Sequence, residues 1–235
     1  MIRFLLLLLV LPAGPAAAQE LTLSLGDGSL TSTSLQLIAL ITLLSLAPGI
    51  AIMVTCFPFV VTVLSILRQA IGLQQSPPNM LIVSLALFVT YFVMEPVFTL
   101  AWTDGFAPMI DAQVSLEVGL ERAAEPFRTF MTARVDPDTL ASLEALRPPE
   151  NTTGTPQLSV LIPSFMLSEV ARAFQVGFLI FLPFLIIDLV VAAILMSMGM
   201  MMVPPAVVSL PFKLAFFVVA DGWALITGSM IRSYF

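Results

Sequence analysis

Ionisable side chains inside otherwise apolar segments are the residues of this chain that could do chemistry. They are Glu95, Glu169, Arg172, Asp188 and Lys213. A charge in an apolar segment is costly, so it marks either a functional group or a paired one. Lys213 is the only lysine in the sequence, and we expect it to pair with Glu169 across a subunit interface or between two helices. A local pair between Glu169 and Arg172, three residues apart on one helix, is an equally supported alternative.

A methionine cluster is the second feature with functional potential. Five of the seven residues from 196 to 202 are methionines, namely Met196, Met198, Met200, Met201 and Met202. Methionine is unbranched, flexible and polarizable, so a ring of such side chains could close a pore to small solutes and still yield to a passing polypeptide. A buried apolar hairpin tip is the simpler alternative. Gly199 and the pair Pro204-Pro205 favour a constrained loop over a continuous helix.

The composition excludes most soluble enzymes and nucleic-acid-binding proteins. The 235 residues include no histidine and a single cysteine, and 15 acids against 9 bases give a net charge of −6. The commonest general base and metal ligand is therefore missing, and an intrachain disulfide cannot form. The sequence contains neither a glycine-rich phosphate loop nor a Ser/His/Asp set. We expect no catalysis, no cofactor, no metal site and no nucleic-acid partner.

The apolar content favours a membrane protein. Apolar residues make up 59% of the chain and charged residues 10%, against about 45–50% and about 25% in soluble domains. We predict an all-α, membrane-associated fold of two long, proline-broken apolar helical hairpins. The first hairpin covers 35–102, where a broken helix over 35–71 precedes an apolar segment over 79–102. The second covers 158–235, with the methionine-rich connection at 196–205.

A hydrophilic insert over 103–157 separates the two hairpins. It holds nine acids and four arginines. Asp136, Pro137 and Asp138 read as an N-cap, a proline in the first turn and an acidic first turn of a helix, and the periodicity of 114–131 indicates another helix. We predict a small, water-exposed, extracytoplasmic helical subdomain here.

The first residues have the pattern of a secretory signal peptide over 1–18. Arg3 precedes an apolar stretch that Pro12 and Gly14 interrupt, and Ala16 to Ala18 supply the small residues of a cleavage site. Residues 19–34 form a polar, extracytoplasmic lead-in. Two crossings after a cleaved signal place the insert outside the cytoplasm and Arg68 inside, in agreement with the positive-inside tendency.

Several motifs together resemble the FliP family of flagellar export-gate proteins. Two regions carry the resemblance, 50–102 and 158–230. The matching motifs are LSILRQAIG at 64–72, QQSPPN at 74–79, LALF at 85–88, FVM at 92–94, AFQVGF at 173–178, FLIIDLV at 184–190, the methionine cluster at 196–202, SLPFKL at 209–214 and DGW at 221–223. Their order and spacing are those of the family, so the resemblance is specific.

The resemblance implies a homopentameric ring that assembles with FliQ- and FliR-like subunits and other type III export proteins. Such a ring lies in the bacterial inner membrane at the flagellar basal body and secretes unfolded flagellar proteins. The methionine cluster would line a gasket in its channel, and Glu169 and Lys213 would pair between subunits. Residues in the matching motifs that we expect to be buried and structural are Arg68, Gln69, Asp188 and Asp221.

Departures from the family pattern leave alternatives open. Phe59 stands where the family often has an arginine, and Arg172 is the base offered near Glu169 where the family often has a lysine. An injectisome export-gate subunit shares the core motifs, although the signal peptide and the long insert favour the flagellar branch. A small-solute secondary transporter using Asp188 or Glu95 is a third possibility, and it predicts a substrate-sized site at the membrane midplane.

Overall fold

The structure is a computed structural model that describes residues 30–73, 77–146, 156–200 and 202–235. The described residues form helices and contain no strand, so the predicted all-α fold is confirmed. The predicted signal peptide over 1–18 and the lead-in up to residue 29 lie outside the described residues.

The described helices follow one another with short connections. In chain order they are α1 (Leu30–Met53), α2 (Phe57–Ile71), α3 (Asn79–Leu100), a π-helical stretch (Ala101–Phe106), α4 (Ala107–Ile110), α5 (Leu116–Arg134), α6 (Pro137–Glu144), α7 (Leu158–Ser197), α8 (Pro205–Val219) and α9 (Gly222–Arg232). Residues 47–235 form one compact unit, and the described residues 30–46, which make up most of α1, belong to a second unit.

Helix α2 is the centre of the compact unit. Its buried residues recur every three or four positions, at Val60, Val63, Leu67 and Ala70, and they pack against α3, α7 and α8. Pro58 lies in the first turn, where a missing N–H costs nothing, and Gly72 ends the helix in the left-handed conformation at φ 90°. The predicted break within 35–71 therefore falls between Met53 and Phe57, just before a proline in the first turn of α2.

The α2–α7 contact is close at a glycine. A Cβ atom added to Gly177 would lie 2.4 Å from Cδ1 of Ile66, so a larger side chain there would make the Ile66 side chain or the helices shift. Ala173, one turn earlier on the same face of α7, is fully buried. Small residues four positions apart thus allow two apolar helices to approach closely, as they do in membranes.

The apolar segment predicted over 79–102 continues beyond its predicted end. Helical backbone runs from Asn79 to Ile110, and the π-helical stretch lies near its end. In that stretch Gly105 packs against the backbone of Ala123 in α5, where a Cβ would lie 2.5 Å from the Ala123 nitrogen. Part of the predicted insert is therefore the end of a long helix, and α5 packs directly on it.

The insert helices begin as the sequence predicts. The Asp136 carboxylate accepts hydrogen bonds from the backbone N–H (2.9 Å) and the hydroxyl (2.7 Å) of Thr139 at the start of α6, so the predicted N-cap is confirmed. Ser115 caps α5 in the same way through the N–H of Val118. Helices α5 and α6 both pack against α7, so the insert belongs to the same compact unit as the apolar helices that follow α1.

Helix α7 is the longest element, with 40 residues and prolines at positions 163 and 183. By length and composition, α7 and the segment Asn79–Ile110 could each cross a membrane, and up to four spans result if each bent helix pair counts as one. A helix of this length is about 60 Å long, about twice the thickness of a hydrocarbon core.

The second arm of the hairpin predicted over 158–235 consists of two helices. Helices α8 and α9 meet at 60°. Asp221 adopts the left-handed conformation (φ 47°, ψ 48°) at the corner, and Gly222 packs so closely on Phe217 that a Cβ would lie 2.2 Å from the ring. A left-handed non-glycine residue is uncommon, although aspartate is among those that tolerate it.

Candidate functional site

The buried lysine connects three helices. The Lys213 ammonium group lies 2.6 Å from Oδ2 of Asp188 on α7 and donates a further hydrogen bond, at 3.2 Å, to the carbonyl oxygen of Ala70. Ser209, one turn earlier on α8, donates to the other Asp188 oxygen at 2.5 Å. Ala70 lies in the last turn of α2, where carbonyl groups lack helical partners and favour a cation.

The buried glutamate joins the insert to α7. The Glu169 side chain is fully buried, and its Oε1 accepts a hydrogen bond from Nε of Arg134 at 3.1 Å. The Nη2 atom of Arg134 lies 3.1 Å from the same oxygen, and Nη1 of Arg172 lies 3.4 Å from it. Two cations therefore compensate one buried carboxylate, as a charge out of water requires.

Tyr234 supplies the third partner of Glu169. Its hydroxyl donates to Oε2 of Glu169, and its ring faces the Arg134 guanidinium at 4.0 Å. Burial raises the pKa of Tyr234 above its ordinary value, and the negative charge of Glu169 raises that pKa further. The phenol therefore keeps its proton and remains a donor.

The structure does not bring together the predicted pair of Glu169 and Lys213 within one chain. Lys213 has Asp188 as its partner, whereas Glu169 has two arginines. The alternative local pair between Glu169 and Arg172 is present. Pairing of Glu169 with Lys213 across a subunit interface stays a prediction.

The other residues expected to be buried differ in their surroundings. Arg68 is half-buried and donates to the side chain of Asn79 and, at 3.4 Å, to the carbonyl oxygen of Pro77, so it closes the α2–α3 connection. Asp188 is half-buried, but Gln69 and Asp221 are exposed in the single chain. Glu95 is also exposed.

The methionine cluster forms the connection between α7 and α8. The turn closes with hydrogen bonds from the N–H of Gly199 to the carbonyl of Met196 and from the N–H of Met200 to that of Leu195. Gly199 has φ 75°, so the predicted constrained loop is confirmed. The four methionines of this cluster that the structure describes are all exposed, and Met202 is 97% exposed. Their exposure argues against a hairpin tip that is buried within the chain. Met201 lies outside the described residues.

An apolar cavity of about 390 Å³ lies between α7, α8 and α9. Its walls are aliphatic and aromatic, and its polar side chains are the hydroxyls of Ser229 and Ser233. Neither Asp188 nor Glu95 lines it. In the part of the chain that the structure describes, no three His, Cys, Asp or Glu residues are grouped as metal ligands would be.

Sequence reasoning missed Arg134, Ser209 and Tyr234. Arg134 is 35 residues from Glu169, and Tyr234 is 65 residues from it, so no local spacing connects them. A usable signal was available for Tyr234, because it is one of only two tyrosines in the chain and a buried phenol needs a partner.

Comparisons with known proteins agree with these motifs. The model of the FliP family matches residues 40–230. Flagellar biosynthetic protein FliP of Caulobacter vibrioides is 50% identical over 96% of this chain and 86% of its own. The Agrobacterium fabrum protein of that name is 48% identical over the whole of both chains, and the Bacillus subtilis protein is 43% identical over 90% of this chain and 96% of its own.

Proposed function

Because the chain belongs to the FliP family, we propose that it is a non-enzymatic core subunit of the flagellar type III export gate. Family membership gives it a role in the flagellar export apparatus, and its long apolar helices fit a membrane-embedded protein. The finer proposal is that copies of the chain form a channel through which unfolded flagellar proteins are secreted. The single observation that carries it is the family match over 40–230.

The surface of α7 supports an assembly in the membrane. In its most apolar stretch of 18 residues, only 17% is buried within the chain. Phe174, Phe178 and Leu189 are each exposed by 60% or more. Apolar surface of this extent requires lipid or other subunits. We propose that part of it is covered by further copies in a homopentameric ring and part by FliQ- and FliR-like subunits in the bacterial inner membrane.

The pairing of the buried charges supports a non-enzymatic role. Glu169 and Lys213 each have charged partners within hydrogen-bond distance, so neither is an isolated group poised for proton transfer. The lining of the apolar cavity disfavours a secondary transporter. Such a protein would need a substrate-sized site at Asp188 or Glu95, and neither residue lines the cavity. The curated relatives named above are all flagellar proteins, which favours the flagellar branch over the injectisome.

The exposed methionine loop supports the proposed gasket. Met196, Met198 and Met202 are each more than 60% exposed within one chain, so they are available to meet their copies on a ring axis. Flexible thioether side chains can close around a polypeptide and repack after it has passed.

Gene deletion tests the export role. A strain that lacks this gene should lose motility and stop secreting flagellin, and a plasmid copy should restore both. Normal flagellin secretion in the deletion strain would overturn the proposal. Subunit counting of the purified complex by native mass spectrometry then tests the pentamer. A copy number other than five would overturn the pentamer and leave the export role standing.

Bilayer conductance tests the gasket. Replacing Met198 and Met202 together with alanine should raise the ion conductance of the assembled complex without changing its subunit count. The matched control is Met80→Ala, since Met80 is 81% exposed but lies on α3. Equal conductance of the loop variant and the control would refute the gasket.

A further inference from the structure

Residues 233–235, which follow α9 and are called here the α9 extension, contact three other helices at once. Nη1 of Arg134, at the end of α5, donates to the carbonyl oxygen of Ser233 at 2.7 Å. The same guanidinium lies over the Tyr234 ring, and the Tyr234 hydroxyl reaches Glu169 on α7. Two consecutive residues thus connect α5 with α7.

Aromatic side chains hold the Tyr234 ring from two sides. Phe130 of α5 stacks on it with ring centres 6.0 Å apart, and Phe59 of α2 meets it edge-on at 5.7 Å. Both geometries are favourable for aromatic pairs. The ring therefore lies between α2 and α5, while its hydroxyl satisfies the buried carboxylate.

The two halves of α5 are held differently. In the first half, Gly119 and Ala123 pack closely on Met109 and Gly105 of the segment that continues α3. In the last turns, Phe130 and Met131 contact Phe165 and its neighbours on α7, and Arg134 makes the polar contacts described above. A change at Tyr234 should therefore affect the last turns of α5 and spare the first.

We propose that the α9 extension is a latch that fastens the last turns of α5 to α2 and α7, with Tyr234 as the residue that positions Arg134 on Glu169. The latch is a property of the single chain, and it does not depend on the proposed export function. It assigns a structural task to residues 233–234 that neither the motifs nor the family comparison indicates.

Hydrogen exchange measured by mass spectrometry on the full chain, in its detergent-solubilised complex, tests the latch. In Tyr234→Leu we expect amide exchange of residues 128–136 to rise by about tenfold or more, because a hydrogen bond to a buried charge and two ring contacts are lost. Exchange of residues 116–124 should change by less than about twofold, since close packing on Gly105 remains. The matched control is Tyr91→Leu, because Tyr91 is the other tyrosine and is 65% exposed.

A second variant keeps the test decisive if Tyr234→Leu does not accumulate. Tyr234→Phe retains the ring contacts and removes only the hydroxyl, so exchange should rise in 128–136 by a smaller factor. Ser233→Ala should leave exchange unchanged, because its backbone carbonyl still accepts from Arg134. Unchanged exchange of 128–136 in both Tyr234 variants would overturn the latch, and so would an equal rise throughout α5.

A double-mutant cycle between Tyr234 and Arg134 tests whether Tyr234 acts by positioning the arginine or only by filling space. If Tyr234 acts through Arg134, then Tyr234→Leu, which removes the ring that faces the guanidinium, should raise exchange less in an Arg134→Met background than in the unmodified chain. Full additivity of the two substitutions would show that Tyr234 does not position the arginine, and it would overturn that part of the proposal.

Discussion

The two ion-pair regions of this chain are opposites. In the Glu169 region the acid is fully buried, and its arginine partners lie nearer the surface, with side-chain exposures of 14% and 36%. In the Lys213 region the base is buried, with 7% of its side chain exposed, and the side chain of its partner Asp188 is 36% exposed. The comparison predicts that the loss of stability depends on which member of a pair would be left behind in the interior when its partner is removed.

Loss of Arg134 should have the largest effect on this comparison. Arg134→Met leaves the buried Glu169 with Arg172 as its remaining cation, and the Arg172 side chain is 36% exposed, so we expect the free energy of unfolding to fall by about 3–5 kcal/mol. The measurement is reversible unfolding in mixed detergent micelles. Arg122→Met is the control, because Arg122 is exposed on the same helix and should change stability by less than about 1 kcal/mol. Equal losses of stability in Arg134→Met and Arg122→Met would show that the buried Glu169 does not depend on Arg134.

Loss of the Asp188 charge should come next. Asp188→Asn keeps an acceptor beside Lys213 but removes its counter-charge, and the buried ammonium group then has Ala70 as its remaining backbone acceptor. We expect a loss of about 1.5–3 kcal/mol, the range for a hydrogen bond to a charged group. The same unfolding assay measures it. A loss larger than that of Arg134→Met would reverse the order of the two regions.

Removal of the buried lysine itself should cost less. Lys213→Met fills a similar volume with an apolar side chain and leaves Asp188 facing solvent, so we expect a change of about 1 kcal/mol or less. Lys213→Glu, in contrast, places two carboxylates together and should prevent recovery of the complex on native gels. A large loss of stability in Lys213→Met would show that the buried member does not decide the cost.

The cap of α6 should give the smallest effect, and one that depends on pH. Hydrogen bonds from the Thr139 hydroxyl and backbone N–H lower the pKa of Asp136 below its ordinary value. The cap is therefore fully present above pH 3.8, the ordinary value, and is lost as pH falls through the lowered pKa. Hydrogen exchange across residues 137–144, expressed relative to the intrinsic rate of an unprotected amide at each pH, should rise in that acid range. Asp136→Asn, which caps without titrating, should abolish the pH dependence, and an unchanged profile would refute the assignment.

Local signals in the sequence predicted local structure well. The Asp136 cap, the Gly199 turn and the apolar helices follow from residue type and spacing over a few positions. The corner at Asp221 was not predicted, because the residue with positive φ is an aspartate and the glycine follows it. Helix continuation past residue 102 was also missed, since Asp104 and Gly105 suggest a loop until α5 is seen to pack against them.

Partners of the buried charges could not be predicted from spacing. Scarcity of charge correctly indicated that Lys213 is paired, but its partner is separated from it by 25 residues and a loop. The Glu169 cluster needs three segments far apart in the chain, and only tertiary packing brings Arg134 and Tyr234 to it. The spacing of residues along the chain does not indicate which distant segments lie next to each other in the fold.

The length of α7 has a consequence for where these charges can lie in a bilayer. Glu169 and Asp188 are both on this helix, nineteen positions apart, which is about 28 Å along its axis. That separation is close to the full depth of the lipid acyl region. If α7 stood upright with one of the two carboxylates at the centre of the acyl region, the other would lie beyond the headgroups, in water, so the two charges cannot both lie near the centre of the membrane.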